Sequence, residues 1–371
     1  MRVVIFCHSL MSDWNHGNAH FLRGIATELQ QRGHHVRVFE PKDAWSAVQL
    51  AEDQGPDALT GFQRAYPLLS STQYDLATLD LDGALAGADL ALVHEWNDPD
   101  LVAAIGEYRA RRDALRILFH DTHHRTVSDQ EQMAAFDLRH YDGVLAFGRV
   151  IRTQYVANGW ARHAWTWHEA ADTEVFHPID GQPREGDLVW IGNWGDDERA
   201  EELDEFLLGP VKTLGLRATV YGVRYPADAI RALADAGIEY RGWLPNYEAP
   251  RVFARYALTV HVPRRPYVKA LPGIPTIRPF EAMACGIPLV SAPWEDVEGL
   301  FHGGRDYLIA NDGEEMTSHL SYLLQHPAEA QAMAEQARLT ILARHTCAHR
   351  VDELLAIAAE LRQATEKEVG A

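Results

Sequence analysis

Short apolar runs alternating with amphipathic segments restrict this chain's fold more than any other feature of its sequence. Val3-Val4-Ile5-Phe6 reads as a buried strand. From His20 to Arg32, Phe21, Leu22, Ile25, Ala26 and Leu29 share one helical face, and Gly33 stops the helix. Val36–Phe39 reads as the next strand, and the alternation returns at Asp89–His94, Leu115–His120, Gly143–Phe147 and Ala164–Trp167. It restarts at Leu188–Ile191, with a helix from about Glu198 to Leu214 and strands at Thr219–Tyr221, Leu258–Val262, Leu289-Val290 and Tyr307–Ile309. Such alternation implies parallel sheets covered on both faces. An α/β chain is therefore expected, with two Rossmann-like domains facing one another across a cleft. Segment 43–80 has weak periodicity and leaves its topology open.

Charge and cysteine usage bound the partners. The 371 residues carry 53 acidic against 34 basic side chains, a formal net charge of −19. That field repels phosphate backbones and anionic membranes, so nucleic acid is not expected as a partner. The three cysteines, Cys7, Cys285 and Cys347, show neither metal-ligand spacing nor a disulfide framework, as in a reducing cytoplasm. No apolar run is long enough to span a bilayer, and the first, Val3 to Cys7, is too short for a signal peptide.

The most informative segment is Thr276-Ile277-Arg278-Pro279-Phe280-Glu281-Ala282-Met283-Ala284-Cys285-Gly286-Ile287-Pro288, preceded by Gly273 and Pro275. Pro279 suits the first turn of a helix, and Gly286 ends it. The free N–H groups of the helix can hold a diphosphate, and Arg278 adds a charge-assisted contact. Glu281, one turn further on, can accept hydrogen bonds from ribose hydroxyls; the alternative is a partner for the helix dipole. Arg199, Arg224, Arg264, Arg265 and Lys269 all follow strand ends of the second half, where an anionic leaving group would be stabilised. Trp14, Trp96, Trp194, Trp243 and Trp294 also follow strands, where indoles either stack on sugars and bases or anchor loops.

The run Phe280–Pro288 resembles GT-B glycosyltransferases that share a glutamate followed by Ala-Met/Leu-Ala-Cys-Gly-x-Pro. Arg278-Pro279-Phe280-Glu281 is most similar to the branch related to spore-maturation glycosyltransferases. Gly17 to Val38, including Arg32-Gly33-His34-His35-Val36, is similar to the family's first helix and second strand. Asp172–Pro178 resembles its hinge, and Ile191-Gly192-Asn193 the opening of its second domain. The resemblance implies the GT-B fold: an acceptor-side domain over 1–170, a nucleotide-sugar domain over 171–345, and a C-terminal helix, 346–371, packing back on the first. It implies metal-independent hexosyl transfer from a nucleotide sugar, a UDP-sugar foremost, to an unidentified acceptor, with no cofactor. One departure stands out. The commonest motif has two glutamates eight positions apart; Glu281 matches the second, and Gly273 stands at the first, which usually touches the transferred sugar.

The cluster His120-Asp121-Thr122-His123-His124-Arg125 follows the strand Leu115–Phe119. Adjacent side chains on an extended segment diverge, which argues against a shared metal. The resemblance places His120 beside the donor sugar, and Asp121 is a neighbouring candidate for general-base or hydroxyl-orienting work. Glu95, after another strand end, is an acceptor-side base or a solvated loop carboxylate. Gly17, in the first βα loop, permits close backbone approach to a ligand. Gly192, Asn193 and Thr276 complete the expected nucleotide-sugar site. A nucleotide-sugar epimerase of the same architecture and a non-catalytic binding relative are the competing readings. A nicotinamide dehydrogenase would need a Gly-x-Gly-x-x-Gly fingerprint, which is absent.

Overall fold

The computed structural model describes residues 1–369. They form two compact units, one of Met1–Glu169 with the segment from Cys347 onward, the other of Ala170–Thr346. Among the described residues, unit 1 carries a seven-stranded parallel sheet: β1 (Arg2–Phe6), β2 (His35–Pro41), β3 (Ser71–Tyr74), β4 (Leu90–His94), β5 (Arg116–Asp121), β6 (Gly143–Ala146) and β7 (Ala164–Thr166). The spatial order is β3-β2-β1-β4-β5-β6-β7. Val3, Val4, Phe6, Leu90, Ala91, Ile117 and Leu118 have no exposed surface, as expected of strands covered on both faces. The helix Cys347–Val369 completes this unit: Arg32 donates to the Ala348 carbonyl at 3.0 Å, and Trp167 Nε1 donates to the Arg350 carbonyl at 2.9 Å.

The segment left open by its weak periodicity contains the helices Trp45–Gln54 and Thr60–Ala65 and then β3. β3 is an edge strand, Ser-Thr-Gln-Tyr, with only Tyr74 buried, so it has no apolar run to betray it. One side chain braces the loop after β1. Arg23 is fully buried and donates to the carbonyls of Leu10 at 2.8 Å and Met11 at 3.0 Å, while pairing with Asp13 at 2.9 Å. The Phe62 and Tyr66 rings lie 4.9 and 5.4 Å from its guanidinium, a cation–π arrangement that helps to hold a buried charge.

Unit 2 repeats the plan with β8 (Gly186–Ile191), β9 (Ala218–Tyr221), β10 (Ile238–Tyr240), β11 (Tyr256–His261), β12 (Leu289–Ser291) and β13 (Leu308–Ile309), ordered β10-β9-β8-β11-β12-β13 and all parallel. β10, an edge strand of three residues, was not legible in the sequence. The helix expected over Glu198–Leu214 starts at Ala200 and passes through a π turn at Asp204–Leu208 before Gly209–Leu214. Pro210 accounts for the change: it has no N–H for the Phe206 carbonyl, and the wider turn accommodates its ring. No helix among the described residues is long and apolar enough to cross a membrane. Cys7, Cys285 and Cys347 are buried free thiols.

Candidate functional site

In open parallel sheets, ligands bind beyond the carboxyl ends of strands where the order reverses. In unit 1 the order reverses between β1 and β4, and in unit 2 between β8 and β11. The polar side chains that need an explanation gather at these two places.

In unit 1, β4 and β5 pair with His94 opposite His120, so the two imidazoles share a face. Their rings lie edge to face with centroids 5.2 Å apart, and His16 from the β1 loop stands 6.2 Å from His94. His120 packs on Trp167 at 4.9 Å and on Phe21 at 5.8 Å. All three histidines are buried, and His16 Nε2, His94 Nδ1 and His120 Nε2 have no hydrogen-bond partner. Burial pulls the His120 pKa down to about 3 and that of half-buried His8 to about 4. His94 and His16 move the same way, first by burial and then by neighbouring imidazoles. The cluster is therefore neutral at pH 7.

The sequence ended the preceding strand at Phe119 or His120, but β5 runs through Asp121. Asp121 consequently points to the opposite face from His120. It is fully buried, accepts from Tyr155 Oη at 2.8 Å and from the His123 amide at 3.0 Å, and is pushed up in pKa by burial. Those bonds organise the loop. Glu95 is fully buried as well, so the solvated-carboxylate alternative does not hold. Its Oε1 accepts from the Thr122 amide and from Thr122 Oγ1, each at 3.1 Å, and Arg125 donates to its carbonyl at 2.8 Å. Burial, and then the Asp121 charge, push the Glu95 carboxyl up to about 8. Gly17 is exposed and is not among the glycines in the left-handed region, so its backbone needs no glycine.

In unit 2, the β8 loop is closed by its own polar groups. Asn193 Oδ1 accepts from the Val223 amide at 3.0 Å, and the Gly192 carbonyl accepts from Tyr225 Oη at 2.8 Å. Arg199 donates to the carbonyls of Asn193, Trp194 and Val262. Burial, and then the Arg264 charge, disfavour its cation. His261, at the end of β11, is buried with its Nδ1 2.9 Å from Ser291 Oγ and its Nε2 unpartnered. Burial, and then Arg199 and Arg278, pull its pKa down to about 3. Arg199, Arg278 and His261 thus share one neighbourhood.

The helix Ile277–Ala284 starts beside them. Thr276 precedes it at φ 60°, a left-handed conformation that a β-branched residue adopts only under strain, and makes no side-chain cap. Glu281 is fully buried, accepts from Asn246 Nδ2 at 2.7 Å and pairs with Arg278. The helix has no acidic residue in its first turn, so Glu281 holds side chains in place and is not a dipole partner. Gly273 has φ +92°, and a Cβ there would lie 2.8 Å from Glu298 Cγ. The backbone at this position strains any side chain, the motif's first glutamate included, and the Glu298 side chain would have to move aside for it.

The basic cluster is smaller than its sequence pattern. Arg264 pairs with Glu198 at 2.9 Å and Arg265 with Glu202 at 2.7 Å. Lys269 and Arg224 are exposed, and Arg224 itself sits at φ +61°. Among the tryptophans, Trp14 and Trp294 are buried anchors, Trp14 donating to Asp53 and Trp294 stacking on Tyr307, whereas Trp96 is 42% exposed beneath Arg125. Reading by sequence passed over His94, His16, His261 and Asn246; a histidine closing an apolar strand, as in Val93-His94 and Val260-His261, was the available signal. A separate cavity of about 240 Å³ in unit 2, lined by Phe253, Cys285, Pro288 and Leu323 among others, contains none of the expected site residues. Among the described residues, no three His, Cys, Asp or Glu side chains are placed to hold a metal ion.

Residues 199–356 match a family model described as glycosyl transferase-like. No curated protein matches the chain. Solved structures align along almost its whole length. A sucrose-phosphate synthase from Thermosynechococcus elongatus shares 13% identity over 98% of this chain and 100% of its own, with a TM-score of 0.64. HepE of Anabaena, solved with UDP and glucose, shares 14% over 97% and 99%, with a TM-score of 0.66. An alpha-glucosyltransferase in complex with UDP shares 13% over 97% and 100%, with a TM-score of 0.70. The chain therefore has the GT-B fold of glycosyltransferases, and its residues 199–356 carry the pattern of a glycosyl transferase-like family.

Proposed function

We propose that the protein transfers a hexosyl group from a UDP-sugar to an acceptor, needing neither a metal ion nor a further cofactor. One observation carries this reading: the uncapped start of the Ile277–Ala284 helix carries Arg278 in its first turn, and the Arg199 guanidinium lies in the same neighbourhood, near His261 at the end of β11. An anion is what that combination of cations and free N–H groups attracts, in a protein whose net charge repels anions elsewhere. The diphosphate would take the helix start and Arg278, while Glu281 would accept from the ribose. Complexes of similar folds with UDP support a uridine donor. Unit 1 would hold the acceptor and present His120 to the sugar. Arg278-Pro279-Phe280-Glu281 supports a place near the spore-maturation branch, and the buried free thiols support a reducing cytoplasm.

Glu281→Ala is expected to weaken UDP binding by about 1–3 kcal/mol, through lost hydrogen bonds and a released Arg278. Titration calorimetry on a variant with unchanged circular dichroism checks this; an unaltered Kd would remove Glu281 from the site. Turnover is also expected to survive exhaustive chelation, because Arg199, Arg278 and the helix N–H groups can offset the leaving charge. Activity that vanishes on chelation and returns with a single divalent ion would overturn that assignment.

A further inference from the structure

The cavity of about 240 Å³ in unit 2 lies at the end of the sheet away from the proposed donor site. Tyr256, Ala257 and Leu258, which open β11, line it, as does Pro288, which immediately precedes β12. The helix Ile277–Ala284 reaches it only by its far end, through Cys285 and Gly286. Phe253, Leu258, Ile287 and Leu323 give it buried apolar walls. Its volume falls below the roughly 300–1,000 Å³ of pockets that take drug-sized ligands, so an occupant is small.

Three polar groups separate this cavity from a packing defect. The first is a backbone carbonyl at the point where the β11–β12 ladder stops. The Ala292 amide donates to the His261 carbonyl at 2.8 Å, and the Thr259 amide donates to the Pro288 carbonyl at 3.0 Å. The register pairs Thr259 with Leu289. Carried two residues back, it makes residue 288 the donor to the Ala257 carbonyl. That residue is proline and has no N–H, so the carbonyl goes unanswered from the β12 side. The other two groups are Asp180 and Arg184, both exposed at the rim. Neither makes an ion pair or hydrogen bond among the described residues, with each other or with any neighbour. Glu185, the acid next to Arg184 in the chain, is taken by Arg255 at 2.7 Å and Arg241 at 3.2 Å.

These groups select the charge of the occupant. An anion would answer Arg184 and be repelled by Asp180; an amine would do the reverse. A molecule bearing both charges answers both. An ammonium carries three donors, enough for Asp180 and the Ala257 carbonyl together, and a guanidinium fork matches a carboxylate. The apolar walls call for an apolar remainder.

We propose that this cavity binds a free α-amino acid with an apolar side chain. The side chain lies among Phe253, Leu258, Ile287 and Leu323, the ammonium faces Asp180 and the Ala257 carbonyl, and the carboxylate faces Arg184. The site is separate from the donor site and does not depend on the transfer reading.

Titration calorimetry on the full-length protein tests it, with leucine and phenylalanine as probes. At least one of them should bind saturably at millimolar concentration. Two fragments of leucine separate its charges: 4-methylpentanoate lacks the ammonium and 3-methylbutylamine lacks the carboxylate, and both should bind more weakly than leucine. Arg184→Gln and Asp180→Asn change exposed side chains that hold no other residue, so the fold should keep its circular dichroism. Each should weaken amino-acid binding by about tenfold, as expected for the loss of a hydrogen bond to a charged group. Saturating UDP should leave the amino-acid Kd unchanged. No saturable binding of either amino acid, 4-methylpentanoate binding as tightly as leucine, unaltered affinity in both variants, or displacement by UDP would each overturn the proposal. A protein that binds leucine but not UDP would sink the transfer reading and leave this site standing.

Discussion

Replacing His120 by alanine is expected to lower kcat by roughly 10²–10⁴-fold, the usual scale for a positioned acid, base or hydroxyl partner. His120 is buried at the end of β5, fixed between Trp167 and Phe21, with an unpartnered Nε2. Burial holds it neutral, so it would act as an uncharged hydrogen-bonding group or base. UDP affinity should barely change, because UDP lacks the sugar. His123→Ala and His124→Ala should cost much less. His124 Nδ1 is engaged with Ser128 Oγ at 2.8 Å, and the His123 ring packs edge-on against Trp96 at 5.2 Å. Steady-state kinetics with UDP-glucose on the three variants, beside calorimetry with UDP, decide the matter. An equal loss from all three would point to collapse of the loop, and full activity in His120→Ala would take the residue out of the site.

The parallel sheets were legible because each central strand is a continuous apolar run bounded by polar turns, and the strands from β1 to β12 that line the two order reversals all have that form. β3 and β10 escaped because edge strands bury little: Ser71–Tyr74 and Ile238–Tyr240 contribute one buried residue each. The site was legible only where its residues are consecutive. Thr276 to Glu281 lies on one helix start and can be read locally. The histidine cluster draws residue 16 from the loop after β1 and residues 94 and 120 from two strand ends, and only the order β1-β4-β5 and the register of His94 against His120 bring them together. Partners were equally invisible. Arg264 and Arg265 resemble free cations in the sequence, and the turn of chain carrying Glu198 and Glu202 neutralises them. The divergence of adjacent side chains was correctly anticipated for His120 and Asp121, yet its consequence differs: Asp121 serves Tyr155 and the loop.

Acidification is expected to destabilise the protein steeply below about pH 6.5. Burial lowers the pKa of His120 in unit 1 and His261 in unit 2 to about 3, against an ordinary value near 6.5 in an unfolded chain. Between those values the unfolded chain takes up a proton that the folded one refuses. Stability is therefore complete above the unfolded pKa and is lost as pH falls, by up to about 1.4 kcal/mol per pH unit for each imidazole. At pH 5 each would have cost about 2 kcal/mol, and His16 and His94 act in the same direction. Glu95 opposes them. Its carboxyl, raised to about 8, holds a proton that the unfolded chain has lost, so its contribution falls as pH rises through roughly 4.5–8. Asp121 acts with Glu95, and the buried imidazoles outnumber the two carboxyls. A loss of several kcal/mol is a large part of the 5–15 kcal/mol that holds a typical domain folded. Urea midpoints followed by tryptophan fluorescence should drop sharply between pH 7 and pH 5. His120→Asn should remove about 2 kcal/mol of that drop, the share of one imidazole. Glu95→Gln, which imitates the protonated carboxyl, should gain stability relative to the wild type as pH rises from 5 to 8. A midpoint that stays level from pH 7 to pH 5 would mean that the buried imidazoles accept protons in the folded state, and the neutral cluster on which the unit 1 site depends would have to be abandoned.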